Sequence, residues 1–156
     1  MKKVKLAVVG VGNCASSLIQ GIEYYKHHHN ENSDGIMQPQ INGWRPQDIE
    51  IVVAFDIDKR KVGLPIAKAI FAEPNCTTVF QKLIPVNGVG VKMGPLLDGM
   101  ADHMKGYPES QAFRVANVKP VNVVEELKNS GAEVMVCYLP VGSQKAVEFY
   151  ANACLQ

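Results

Sequence analysis

Leu6-Ala7-Val8-Val9 runs without interruption into Gly10-Val11-Gly12-Asn13-Cys14-Ala15, and few folds accommodate that junction. A short, continuous apolar segment suits a strand buried on both faces of a parallel sheet. Beyond the glycines, Ala15, Leu18, Ile19 and Ile22 recur at i, i+3, i+4 and i+7, which predicts a helix laying one stripe on that sheet. The turn between strand and helix fits G-x-G-x-x-A, and each position has a mechanical reason. Gly10 permits the tight turn, Gly12 lets the backbone come close to a pyrophosphate, and Ala15 is small enough for the helix to lie near the strand. Free N–H groups at the helix start would then face an anion. An ordinary tight turn is the plainer reading, and the strand-to-helix context favours binding over it.

The remainder of the chain alternates in the same way. Residues from about 26 to 47 carry three histidines, Asn, Ser, Gly and Pro, and read as a surface insertion of poor order. Ile51-Val52-Val53-Ala54-Phe55 predicts a second buried strand ending at Asp56, followed by a helix from near Pro65 with Ile66, Ala69 and Ile70 inward. Thr77 to Phe80 is the β-branched candidate for a third strand, and the glycine-dense stretch from about 85 to 106 reads as a long loop. Pro120 is expected to open a helix carrying Val123, Val124 and Leu127, closed by Gly131 before a strand at Val134 to Tyr138. Ser143 is the expected N-cap of a last helix with Val147, Tyr150, Ala151 and Cys154 along its stripe.

This alternation predicts a Rossmann-like, doubly wound parallel α/β sheet occupying residues 1–156. The chain ends at Cys154-Leu155-Gln156 inside an apolar helical pattern. The fifth and sixth strands of the order 3-2-1-4-5-6 are therefore expected to be absent, leaving an exposed edge and a helix face that favour association.

Charge and composition exclude several functions. Sixteen basic against fifteen acidic residues give a net charge of +1, so no field gathers nucleic acid or an anionic membrane surface. No apolar stretch approaches the roughly 20 residues that span a bilayer, and Lys5 with the early glycines breaks any secretory signal. Cys14, Cys76, Cys137 and Cys154 form no Cys-x-x-Cys pair, which fits free thiols in a reducing cytoplasm. Cys14 reads as a buried, unreactive thiol. The adjacent His27, His28 and His29 do not match the spaced ligands of a zinc site, so no metal is expected. No Ser-His-Asp set or G-x-S-x-G elbow is present.

Asp56, at the end of the second strand, is placed to accept hydrogen bonds from an adenosine ribose and to repel a 2′-phosphate, which favours NAD over NADP. The insertion lengthens its interval from the glycines beyond the usual spacing of about 20 residues. Asp58 is a weaker second candidate; Lys59, Arg60 and Lys61 could neutralise a 2′-phosphate, which leaves NADP disfavoured but not excluded, and more plainly read as a solvated charge cluster. Tyr138-Leu139-Pro140-Val141-Gly142-Ser143 follows the fourth strand, the neighbour of the first, and is expected to border the same crevice.

GVGNCASSLIQGIEYY from Gly10, MGPLLDG from Met93, FDIDKRKVG from Phe55 and YLPVGS from Tyr138 together resemble the myo-inositol-1-phosphate synthase (inositol-3-phosphate synthase) family in its actinobacterial and archaeal form. The resemblance runs from about Lys5 to the end. It implies an isomerase that converts D-glucose 6-phosphate to an inositol monophosphate by NAD-dependent oxidation, aldol cyclisation and reduction, within inositol and phospholipid biosynthesis. It further implies that Gly10, Gly12, Asn13 and Cys14 lie along the cofactor pyrophosphate and Asp56 on the ribose. Tyr138, Leu139, Pro140, Gly142 and Ser143 would lie along the cofactor's other side, with Gly94, Leu97 and Asp98 as looser candidates. The family's catalytic lysines and tetramer-forming sheet lie beyond the matched region, so no residue here inherits a catalytic role. A related NAD(P)-dependent dehydrogenase and a non-catalytic nucleotide-binding module remain as alternatives.

Overall fold

A computed structural model of the chain describes residues 2–28, 35–85 and 88–156. Four strands, β1 (Val4–Val9), β2 (Ile49–Asp56), β3 (Val91–Met93) and β4 (Val134–Cys137), form one sheet in the order β3-β2-β1-β4. Every pairing is parallel. The sheet is Rossmann-like and partial, with β1 and β4 side by side.

The two faces of β1 feed separate cores. Leu6 and Val8 pack with Ala15, Ile19 and Ile22 of α1 (Asn13–His27) and with Ile66, Ala69 and Ile70 of α2 (Ile66–Ala69) and its cap. Ala7 and Val9 pack on the opposite face with Val123 and Leu127 of α3 (Val123–Ser130) and Tyr150 and Ala153 of α4 (Gln144–Cys154). Alternate residues of one strand thus reach helices on both sides, as the uninterrupted apolar run requires. A register shift opposite Leu6 and Ala7 leaves Ile51 on the first face and turns Val53 and Phe55 to the second.

Several local expectations are corrected. Thr77 to Phe80 is not a strand; the third strand is Val91–Met93, inside the stretch read as loop. Side chains of α1 satisfy the earlier segment instead. Gln20, fully buried, accepts the Phe80 and Gln81 amides at 3.0 and 3.2 Å and donates to the Thr78 carbonyl at 3.4 Å. Backbone satisfied in this way needs no strand ladder. Val91–Met93 finds its ladder on Ala54 to Asp56, a partner far away in sequence.

Pro120 does not open α3. Asn122 is the N-cap and accepts the Glu125 amide, while Gly131 closes the helix at φ +63° as expected. The buried stripe of α4 is Ala146, Tyr150 and Ala153; Val147, Ala151 and Cys154 are exposed.

The insertion also begins later than the composition suggests, because Lys26 and His27 still belong to α1. Its expected poor order falls partly on residues 29–34, outside the described residues. Closer to β2, Ile41 and Trp44 close a tight turn through mutual backbone bonds of 2.9 Å. The Asp48 carboxylate then accepts the Arg45 amide at 2.9 Å, starting the short 3-10 turn Pro46–Asp48.

Candidate functional site

The glycine turn is built to leave space. Gly10 has φ +85°, and a β-carbon there would lie 2.9 Å from the Tyr138 carbonyl oxygen, so glycine is required by both conformation and contact. Its amide donates to the Phe55 carbonyl at 2.9 Å, and the next amide, Val11, donates to Asp56 Oδ2 at 2.7 Å. Gly12 differs: its φ is −90°, which any residue adopts, and nothing lies within 4 Å of the position a β-carbon would take. The fold itself therefore does not demand a glycine at position 12.

Helix α1 begins at that point without a side-chain cap and without an acidic residue in its first turn. Its first intrahelical bond runs from the Ser16 amide to the Gly12 carbonyl at 2.9 Å, leaving the amides of Asn13, Cys14 and Ala15 without a helical acceptor. Gly10, Gly12 and Asn13 border a cavity of about 270 Å³ over the carboxyl ends of β1, β2 and β4. Open crevices of parallel sheets collect ligands at this position.

The Asn13 side chain points to a neighbouring segment. Its Oδ1 accepts the Cys76 and Thr77 amides at 2.8 and 3.2 Å and the Thr77 hydroxyl at 2.9 Å. Residues 74–77 are thereby held beside the glycine turn, and Pro74 and Asn75 join the cavity wall.

Asp56 lines the cavity and organises its own surroundings. Besides the Val11 amide on Oδ2, its Oδ1 accepts the Ile57 and Asp58 amides at 2.7 and 2.8 Å. A carboxylate offers about four acceptor sites, so capacity remains for a ligand hydroxyl.

Asp58 is not a ribose candidate. It is fully buried, with Arg60 Nε at 3.1 Å from Oδ1 and Arg60 Nη2 at 2.7 Å from Oδ2. The hydrogen bond to Asp58 raises the Arg60 guanidinium above its ordinary value against the pull of burial. The solvated-cluster reading holds for the exposed Lys59 and is corrected for Arg60 and Lys61. Lys59 pairs with Glu109 at 2.9 Å, Arg60 is tied to Asp58, and Lys61 is 3% exposed in the cavity wall. Burial of a basic side chain needs a partner, and Arg60 and Lys61 find theirs in Asp58 and Asn75.

The cavity's other side is formed by the segment after β3 and the turn after β4. Leu97 and Asp98 meet Tyr138, Leu139, Pro140 and Ser143 around it. Ser143 occupies the N-cap position of α4, but its hydroxyl makes no capping bond. The Asp98 carboxylate caps the helix instead, accepting the Lys145 amide at 2.7 Å and the Ala146 amide at 3.0 Å. Desolvation pushes the Asp98 carboxyl up, and the Lys145 and Ala146 amides outweigh it, holding the group below its ordinary value. A β-carbon on Gly99 would meet Ser143 Oγ at 2.1 Å, so the loop is seated directly on the helix start.

Three residues expected at the cofactor do not line this cavity: Cys14, Gly94 and Gly142. Cys14 is exposed, not buried. Gly94 packs beneath Tyr150, whose hydroxyl would lie 2.3 Å from an added β-carbon, and Gly142 is exposed in its turn at φ +91°. Lys61, Asn75 and Tyr150 line the cavity as well. Lys61 stands out in the sequence only as one of three consecutive basic residues and nothing in the local pattern marks Asn75, while Tyr150 sits on the predicted helix stripe. Burial pushes the Tyr150 phenol well up, so it stays protonated.

Of the histidine tract, His27 lies 3.6 Å from Glu23 and His28 stacks on Tyr24, while His29 lies outside the described residues. Among the described residues no group of three His, Cys, Asp or Glu side chains is placed to hold a metal ion. Among them, too, no helix is long and apolar enough to cross a membrane.

No protein-family model matches the chain. The inositol-3-phosphate synthase of Corynebacterium glutamicum is 42% identical over 153 residues, covering 97% of this chain and 40% of that protein. That of Mycobacterium tuberculosis is 39% identical over 154 residues, covering 98% of this chain and 40% of the relative. This chain belongs to the inositol-3-phosphate synthase family. It corresponds to the amino-terminal part and spans about 40% of the length of the curated relatives it matches. The solved structure of Ari2 superimposes on this synthase-family chain with a TM-score of 0.78 at 36% identity, covering 99% of this chain and 43% of Ari2. A myo-inositol-1-phosphate synthase-related protein from Thermotoga maritima shares the fold, with a TM-score of 0.58 at 17% identity over 88% of this chain and 34% of that one.

Proposed function

We propose that this chain is the NAD-binding part of a cytoplasmic inositol-phosphate synthase, a homotetramer when full length. That enzyme converts D-glucose 6-phosphate to 1D-myo-inositol 3-phosphate by oxidation, aldol cyclisation and reduction. One observation carries the reading. The helix start at Gly12 is uncapped, free of acidic residues in its first turn, and opens on a cavity, with clear space where a β-carbon would stand.

A diphosphate fits that space by charge and by shape, because helix N-termini attract anions and glycine allows close approach. Asp56 supplies an acceptor for ribose at the same cavity and disfavours a 2′-phosphate. The Tyr138 to Ser143 turn and the Leu97-Asp98 segment would enclose the cofactor from the other side. The chemistry supplied by bound NAD is a reversible two-electron oxidation, used once in each direction, so the overall reaction is an isomerisation. Within this chain, residues bind and orient; none is assigned to proton transfer.

Calorimetric titration with NAD, NADP and ATP tests the proposal, alongside an assay for inositol phosphate and NADH. NAD is expected to bind in preference to the other two, with no inositol phosphate made by the 156-residue chain alone. Preference for ATP would point to a nucleotide-sensing module. Net NADH formation from a sugar or hydroxy acid would point to a dehydrogenase.

A further inference from the structure

One charged group in the cavity has no task in the proposal above. Lys61 is 3% exposed and lines the cavity together with Asp56. Its ammonium donates to Asn75 Oδ1 at 2.8 Å. The Asn75 amide nitrogen is itself tied to the Val11 carbonyl at 3.1 Å and the Ile70 carbonyl at 3.0 Å, so Oδ1 is held towards the lysine. A neutral acceptor orients an ammonium without neutralising it, and an ammonium has three donors.

Neither nearby carboxylate forms an ion pair with Lys61. Asp58 is closed by Arg60, and Asp56 holds the Val11, Ile57 and Asp58 amides. Burial lowers the Lys61 pKa, with Asp56 and Asp58 opposing and Arg60 assisting. A cation and an anion thus border one cavity, each fixed by the fold on one side. Burying such a cation is costly unless it gains further partners.

We infer that Lys61 and Asp56 together form a receptor for a vicinal diol, the ribose hydroxyls of the adenosine half of the dinucleotide. The inference rests on the reading that this cavity takes NAD. A hydroxyl is both donor and acceptor, and a carboxylate alone answers only its proton. Asp56 accepts from the diol, and Lys61 donates to the diol oxygen whose lone pairs would otherwise lose their water. Lys61 is therefore a specificity residue for the ribose.

The test is a calorimetric cycle with ADP, 2′-deoxy-ADP and 3′-deoxy-ADP on the wild-type chain and on Lys61→Met. Lys61→Gln serves as a second variant that keeps a donor towards Asn75, and circular dichroism melts establish that each variant is folded. In the wild type, ADP is expected to bind about tenfold more tightly than at least one deoxy analogue, as befits a hydrogen bond to a charged group. In the folded variant, ADP weakens by about the same factor while that analogue changes little, so the discrimination collapses. A merely structural lysine would weaken all three ligands alike and keep their ratio, overturning the assignment of Lys61. A wild-type chain that binds neither ADP nor NAD would overturn the cofactor reading along with it.

Discussion

The α-carbon of Gly10 lies beneath the carbonyl of Tyr138, so close that a β-carbon would sit 2.9 Å from its oxygen. This contact joins the turn after β1 to the turn after β4, where the Tyr138 amide also donates to the Val9 carbonyl at 2.7 Å. Two glycines in one motif therefore have separable roles. Gly10→Ala meets both a positive φ and a backbone clash and is expected to destabilise the chain by about 3 kcal/mol. Gly12→Ala meets neither, and as an N-cap change from glycine to alanine it should cost no more than about 1 kcal/mol. Its NAD affinity should nonetheless fall by about tenfold or more, because the new methyl stands where the diphosphate approaches. Urea unfolding and NAD titration on both variants separate the roles; equal affinity in Gly12→Ala and wild type would remove the diphosphate from this corner.

A second prediction concerns the buried pair behind Asp56. Asp58 is 1% exposed at its side chain and Arg60 18%, and Arg60 also donates to the Ala112 carbonyl at 2.9 Å, tying the β2 end to a distant segment. Arg60→Met leaves a carboxylate buried without its counter-charge and is expected to cost about 3 kcal/mol or more. Adding Asp58→Asn removes the stranded charge and should restore part of that loss. Chemical denaturation of the single and double variants measures both steps. A single variant as stable as the wild type would show that the pair is not holding this turn.

The parts of the site that could be read in the sequence are those whose reasons are local. Strand, glycine turn and helix follow one another in Leu6 to Ile22, and each residue's role depends on neighbours a few positions away. Asp56 was legible for the same reason, standing at the end of an apolar run. Lys61 was not, because its burial depends on Asn75 and the 74–77 segment, which Asn13 holds in place from α1. The third strand was missed because Val91–Met93 is only three residues long and its partner is Ala54 to Asp56. Ser143 looked like a cap by type and position, yet Asp98, 47 positions before Lys145, takes the amides. Long-range satisfaction of backbone groups is invisible to a pattern that scans neighbours.

That cap carries a pH dependence. The folded Asp98 carboxyl is held below its ordinary value by the Lys145 and Ala146 amides, against desolvation. Its contribution to α4 is therefore fully present above the unfolded carboxyl's range and is lost as acid protonates the folded group. Hydrogen exchange at Lys145 and Ala146 should accelerate on acidification in the wild type. In Asp98→Ala it should be fast already at neutral pH, with a lower melting temperature. Protection of those two amides that survives in the variant would rule out the carboxylate as their partner.

Asn13 stands where fold stability and cofactor binding make opposite demands. Its Oδ1 accepts three bonds from Cys76 and Thr77, and the first turn of α1 holds no acidic residue. Asn13→Asp keeps the acceptor oxygen and adds a negative charge at the positive end of the helix. Stability is expected to rise by about 0.5 kcal/mol, the usual effect of a carboxylate at that end. NAD affinity is expected to fall by about tenfold or more, since like charges a few ångströms apart near a protein surface repel by more than about 1.4 kcal/mol. An ordinary tight turn would show the first effect without the second. Unfolding curves and NAD titrations run on one preparation of the variant distinguish these outcomes, because only an anion seated on the Gly12-Asn13 amides couples the added charge to binding.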